Sequence, residues 1–96
     1  MASEVSIEEL QSTAGRIVRR ELDRALREHD LFEDPAQALM ALRGELDEVA
    51  CAISINDLTG PHGFLSEVAQ VAAVAIKAVI SYLLWRRKNE AHSTSK

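Results

Sequence analysis

The chain has 96 residues, of which 47% are apolar and only 4% are aromatic. A chain of this length makes one domain, with a core built from Ala, Val, Ile and Leu. Its net charge of -4 at pH 7 argues against a nucleic-acid partner, because proteins that bind nucleic acid normally carry an excess of basic residues.

The first predicted helix runs from about Ile7 to Glu28. Ser6 and Glu9 have the spacing of a capping box, and apolar residues then recur at three- and four-residue steps. The other side of the helix carries a row of basic residues, Arg16, Arg20, Arg24 and Arg27. Acidic residues between them favour a solvated face with ion pairs along the helix. The alternative is a clamp for a phosphorylated ligand, with Arg16 and Arg20 as candidate substrate-binding residues.

The second predicted helix runs from about Pro35 to Ile53. Asp34 is suited to the N-cap, and Pro35 to the first helical position, where its missing N–H costs nothing. The apolar face, which we expect to pack into the core, consists of Leu39, Leu42, Leu46, Val49 and Ile53. The following stretch, SINDLTGPHG, is rich in turn residues and predicts a connection.

The third predicted helix begins near Pro61 or His62 and runs to about Lys88, which makes it the longest element. A narrow polar stripe consists of Ser66, Glu67, Gln70, Lys77 and Ser81. Apolar residues cover nearly three quarters of the circumference, more than two shorter helices can bury. We therefore expect an all-α domain over residues 1–90, with a disordered tail at 91–96. Its four-helix-type core is completed by dimerisation, as a homodimer or a higher homo-oligomer.

The third helix also raises a membrane alternative, because its apolar run ends in Tyr82, Trp85 and several basic residues. However, the uninterrupted run between Gln70 and Arg86 contains Lys77 and is shorter than the roughly 20 residues that span a bilayer. We expect no membrane partner. The chain has a single cysteine and opens with no recognisable signal sequence, so the expected location is the reducing cytoplasm.

Acidic residues lie at matching spacings on the second and third helices. Glu45 and Glu48 are three residues apart, and Glu67 and Gln70 repeat that spacing. Antiparallel packing of the two helices would bring both pairs together. Carboxylates in a shared cleft repel one another unless a cation neutralises them, and Mg²⁺ prefers such oxygen ligands. The pattern predicts a magnesium site, while E-x-x-E also occurs on many solvated helices.

The stretches HDLFEDPAQALMALRGELDEV and FLSEVAQVAAVAIKAV together resemble the MazG-like nucleotide pyrophosphohydrolases, of the all-α NTP pyrophosphatase superfamily. The resemblance covers about half the chain, from His29 to Val79. It implies that Glu45, Glu48, Glu67 and Gln70 hold Mg²⁺ and that a nucleoside triphosphate is cut to monophosphate and pyrophosphate. Gln70 departs from the family pattern, which has Asp at this place, and a glutamine brings neither charge nor basicity to the metal.

The resemblance also suggests roles for single residues. Glu48 is the candidate that orients or deprotonates the attacking water, and Lys77 is the candidate that binds a phosphate oxygen. The alternative for Lys77 is an ion pair with an acid of the second helix. For the whole chain, the alternative is a non-catalytic helical module that binds a nucleotide or a protein partner, which the glutamine at position 70 favours.

Overall fold

A computed structural model describes residues 5–94, with side chains as far as Ala91. Over that range the chain forms three α-helices and no strand, which confirms the predicted all-α class. Helix α1 spans Ile7–Glu28, α2 spans Pro35–Ser54 and α3 spans Phe64–Thr94. The predicted bounds of α1 are confirmed, and α2 ends one residue later than predicted.

The first two helices begin at the predicted caps. The Ser6 hydroxyl accepts a hydrogen bond from the backbone N–H of Glu9 at 3.2 Å, and the Asp34 carboxylate accepts one from Gln37 at 2.8 Å. Pro35 occupies the first turn of α2. Each cap satisfies a backbone donor that has no partner inside the helix, so these starts are encoded locally.

Helix α3 begins later and continues further than the sequence pattern predicted. Residues 57–63 form a turn in which the Asp57 carboxylate accepts the N–H of Gly60 at 2.9 Å and its carbonyl accepts that of Phe64 at 2.8 Å. A Cβ at Gly63 would lie only 2.8 Å from the Asp57 carboxylate, so this close turn requires glycine. Residues 91–94 of the predicted disordered tail are helical, since no Gly or Pro follows Gly63. Residues 95 and 96 lie outside the described range.

Helix α3 is the central element of a flat molecule. Helices α1 and α2 each pack against α3 and make no packing contact with one another within residues 5–94. The molecule measures only 18 Å along its shortest axis. Because domains usually bury their apolar faces between two or more packed layers, a single layer of helices leaves one side of α3 open.

The side of α3 that packs inward is its polar stripe. Glu67 and Lys77 are 2% and 5% exposed, and Ser81 is fully buried. Small residues allow this close packing, and the buried ones are Ala38, Ala52, Ala69 and Ala73. On the outward side, large apolar residues of α3 lie exposed, among them Leu65, Val68, Ile76, Val79 and Leu83.

The prediction that the leucine face of α2 packs into the core was wrong for part of that face. Leu39, Leu46 and Ile53 are about half exposed, whereas Leu42 and Val49 are half-buried. Alanine faces α3 instead, because a small side chain lets the two helices approach closely. Large apolar residues of α2 are therefore exposed as well as those of α3.

By length and composition, α3 is the one helix in the described residues that is apolar enough to cross a membrane, over Phe64–Ala91. The same helix carries Glu67 and Lys77, whose side chains pack among the residues of this chain. A buried acid and a buried amine on one helix are costly in a bilayer and need polar neighbours there. The expectation of no membrane partner stays a prediction.

Candidate functional site

One cleft brings together the polar stripe of α3 and the two flanking helices. Its volume is about 810 Å³, within the usual range for small-molecule sites. The walls come from the second half of α1, the α1–α2 connection, α2 between Gln37 and Glu48, and His62. The lining includes five residues singled out from the sequence, Glu45, Glu48, Glu67, Gln70 and Lys77.

Glu67 is the most deeply placed acid of the cleft. It lies in the first turn of α3 and is almost completely buried. Its Oε1 lies 3.4 Å from Nδ1 of His62, whose side chain is 87% exposed at the mouth of the cleft. The histidine thus covers the carboxylate on the solvent side. Sequence reasoning missed this contact, because His62 is a loop residue that only the turn at Asp57 places over α3.

The carboxylate of Glu45 has a pKa raised above its ordinary value of 4.5. Burial is the main cause, and repulsion from Glu67 and then from Glu48 adds to it, while the positive charge of Arg24 acts in the opposite direction. Glu45 is therefore close enough to Glu67 and Glu48 to be affected by the charge of each. A cation placed among them would relieve both the burial and the repulsion.

Gln70 connects three helices through its side-chain amide. In the amide orientation that satisfies both neighbours, its nitrogen donates to Glu45 Oε2 at 3.1 Å and its oxygen accepts from Nη2 of Arg24 at 3.3 Å. Neither bond is available in the reversed orientation, so the network assigns the amide. The oxygen that a metal would need is already turned toward Arg24.

The side chain of Lys77, which is 5% exposed, lines the same cleft. Its Nζ lies 4.5 Å from the centroid of the Phe32 ring and makes no hydrogen bond or ion pair within the described residues. Burial lowers the pKa of this amine, and the charge of Asp30 acts against that shift. The alternative of an ion pair with an acid of α2 is therefore absent from the described residues. An ammonium that lines a cleft and forms no ion pair is suited to bind an anionic ligand, which would compete with the charge of Asp30.

The predicted clamp residues on α1 lie elsewhere. Arg16 and Arg20 lie along a shallow surface of α1 with Ser12 and Asp23, outside the cleft. Arg24 is the arginine that lines the cleft, and it forms an ion pair with Glu21. The pKa of Arg24 is raised, first by its hydrogen bond to Glu21 and then by the charges of Glu21, Glu28 and Glu45. Because α1 crosses α3 at this turn, only Arg24 reaches the polar stripe.

The acidic side chains that line the cleft are of the chemical type that binds Mg²⁺. Carboxylate oxygens are its preferred ligands, and Mg²⁺ usually takes only one or two of them from the protein, together with waters and substrate phosphates. In the part of the chain that the structure describes, no three acids, histidines or cysteines are assembled closely enough to enclose a metal ion. The cleft therefore offers separate carboxylates around a common space rather than a closed cage.

Comparison with known proteins adds no relative. No family model, no curated protein and no solved structure matches the chain.

Proposed function

We propose that the chain is a Mg²⁺-dependent nucleoside triphosphate pyrophosphohydrolase, which releases pyrophosphate and a nucleoside monophosphate. One observation carries the proposal: the cleft is lined by Glu45, Glu48 and Glu67, from two helices, and by Lys77, which forms no ion pair among the described residues. Carboxylates bind a divalent cation, and an ammonium binds the phosphates that such a cation also contacts. The resemblance to MazG-like enzymes supports the same assignment.

The acids of α2 and α3 would have different roles at the cation. Glu45, Glu48 and Glu67 would hold Mg²⁺, which when bound neutralises phosphate charge and activates water. Glu48 is the exposed member of the three, so its carboxylate has the best access to solvent and is suited to orient the attacking water. Glu67 is held in place by burial and by His62.

Two positive groups of the cleft would bind the phosphate chain. Lys77 forms no ion pair among the described residues, although the charge of Asp30 acts on its amine, so the ammonium is available to a phosphate oxygen. Arg24 lies on the α1 side of the cleft. A phosphate chain that contacts both groups would pass along the polar stripe of α3, beside Glu67 and Gln70.

The outward apolar surface supports self-association. Val79 and Leu83 are 58% and 49% exposed on α3, with Leu46 and Ile53 exposed on α2. An apolar patch of this kind on a soluble chain usually marks an interface. Pairing of two such faces would complete a four-helix-type core in a homodimer while leaving the polar cleft of each chain open. A cytoplasmic location belongs to the same proposal.

A direct assay tests the activity. Purified chain is incubated with canonical and modified nucleoside triphosphates, with Mg²⁺ or with EDTA. Released pyrophosphate and nucleoside monophosphate are both measured, and the proposed reaction yields them in equal amounts. The proposal expects turnover that requires Mg²⁺ and disappears in Lys77→Met. Equal turnover with EDTA, or release of inorganic phosphate in place of pyrophosphate, would contradict it.

The second candidate is a non-catalytic module of the same architecture that binds a nucleotide or a protein partner. Two features favour it: position 70 carries an uncharged amide, and the described acids do not enclose a metal ion. The same panel separates the candidates. Nucleotide binding without any turnover, measured by calorimetry, would support the module and reject the hydrolase.

A further inference from the structure

Both polar ends of the Gln70 amide are used inside the protein. The nitrogen donates to the Glu45 carboxylate on α2, and the oxygen accepts from the Arg24 guanidinium on α1. An amide is the only side-chain group of this length that both donates and accepts in this way. An acid at this position would accept from Arg24 and would repel Glu45.

The charges around Glu45 determine how an amide at position 70 affects ligand binding. Glu45 already experiences repulsion from Glu67 and Glu48, and Arg24 opposes it. A fourth acid at position 70 would add a negative charge, and further bound cations would be needed to neutralise it. With glutamine, the compensating positive charge is instead a guanidinium that belongs to the chain.

The charges of Glu21, Glu28 and Glu45 attract Arg24 toward the cleft, and Gln70 fixes where its guanidinium lies. Arg24 lies on α1 with Glu21 one turn before it, and its ion pair with Glu21 keeps it along its own helix. The Gln70 oxygen, at 3.3 Å from Nη2, is its contact with α3. A guanidinium has five N–H donors, so these two partners leave donors free for a phosphate.

We propose that Gln70 is a positioning residue that holds Arg24 at the cleft as a phosphate-binding group, and that it is not a ligand of the metal. As in the proposed function, on which this inference rests, the ligand is a chain of phosphate groups. Arg24, held beside Gln70, and Lys77, two turns further along α3, bind that chain. The three glutamates are left to hold a divalent cation without help from position 70.

The test separates phosphate binding from metal binding. Calorimetry measures inorganic tripolyphosphate at saturating Mg²⁺, and Mg²⁺ alone, for the wild type, Gln70→Met, Arg24→Met and the double variant. We expect each single variant to weaken tripolyphosphate binding about tenfold or more, since a hydrogen-bonded charge is lost or misplaced. In the Arg24→Met background, Gln70→Met has no further effect. Binding of Mg²⁺ alone is unchanged by Gln70→Met.

Matched controls guard against a trivial result. Arg43→Met removes an arginine of α2 that lies outside the cleft, and it leaves tripolyphosphate binding unchanged. Circular dichroism checks that each variant keeps its helix content.

Three results would overturn the proposal. The first is that the losses from Gln70→Met and Arg24→Met are additive. The second is that Gln70→Met weakens the binding of Mg²⁺ alone. The third is that the wild type does not bind tripolyphosphate. The readout does not depend on turnover. Coupled binding through Arg24 and Gln70 in a chain that cleaves no triphosphate rejects the hydrolase and supports the positioning role.

Discussion

Lys77 lies over the face of the Phe32 ring, with Nζ 4.5 Å from the ring centroid. The ring belongs to the α1–α2 connection, so a buried amine of α3 is held against the loop that closes one end of the cleft. The attraction of a cation to an aromatic face offsets part of the cost of burial. The lowered pKa of Lys77 indicates that burial still outweighs its favourable contacts.

Replacing Lys77 should separate stability from ligand binding. In the folded chain the pKa of Lys77 lies below its ordinary value of 10.5, so the charged amine destabilises the fold at neutral pH. This penalty is present below the folded pKa and disappears as pH rises above 10.5. Lys77→Met should therefore raise the melting temperature at pH 7 while weakening tripolyphosphate binding. A lower melting temperature together with unchanged binding would contradict both expectations.

The hydrogen bond between the Phe32 backbone and the Ser81 hydroxyl predicts how much stability is lost when that hydroxyl is removed. The N–H of Phe32 donates to Ser81 Oγ at 3.1 Å, and its carbonyl accepts from Trp85 Nε1 at 3.0 Å. Ser81→Ala leaves that buried N–H without a partner, which should cost about 1–3 kcal/mol of unfolding free energy in urea. Ser54→Ala is the matched control, because its exposed hydroxyl bonds only to its own helix. Equal effects of the two variants would contradict this account.

Glu45 predicts how stability depends on pH and on magnesium. Its folded pKa is raised, so the folded chain holds a proton that the unfolded chain releases. Stability should fall as pH rises from about 4.5 through the raised pKa, and the penalty persists above it. Without metal, Glu45→Gln should therefore melt at a higher temperature than the wild type at pH 7. Mg²⁺ should raise the melting temperature of the wild type more than that of the variant, whereas an equal rise in both would contradict a role in metal binding.

Two acids of α2 provide a matched pair for the activity. Glu48 lines the cleft, while Asp47 is exposed and lies outside it. Glu48→Gln should lower kcat for pyrophosphate release by about 10²- to 10⁴-fold, the usual range for a group that moves a proton in the transition state. Asp47→Asn should retain wild-type kcat. Full activity of the Glu48 variant would remove Glu48 from the mechanism.

The exposed apolar side of α3 predicts self-association. A Val79→Glu, Leu83→Glu double variant places two charges on this side and should convert the dimer to a monomer with its helix content retained, as judged by sedimentation equilibrium and circular dichroism. Lys88→Glu changes charge on the same helix outside that apolar stripe and should leave the dimer intact. A monomeric wild type at 100 µM, roughly the concentration of a sedimentation experiment, would reject the predicted interface.

The positions of the helices could be predicted from the sequence because their signals act within a few residues. Ser6 and Asp34 cap their helices through bonds to the residue three positions on, and Pro35 opens α2 because it has no N–H to satisfy. Three-residue spacing likewise places Glu45 with Glu48, and Glu67 with Gln70. For that reason these residues could be nominated as one site before any tertiary contact was known.

Which side of α3 faces inward was decided only by the tertiary structure. Its pattern shows a polar stripe and an apolar side, and an ordinary amphipathic helix buries the apolar one. Here small residues let α1 and α2 pack along the polar stripe, so Glu67 and Lys77 are buried and Val79 is exposed. This outcome depends on many weak packing contacts between residues that are distant in the sequence, so no local pattern predicts it.

The partners of the site residues also depend on the fold. Arg24 rather than Arg16 or Arg20 reaches Gln70, because the crossing of α1 over α3 selects one turn of the helix. Phe32 meets Ser81 and Trp85 across separations of 49 and 53 residues. Composition and spacing thus determined which residue types were available and on which helices they lie. Long-range packing decided their neighbours, because helix crossings depend on contacts along the whole chain.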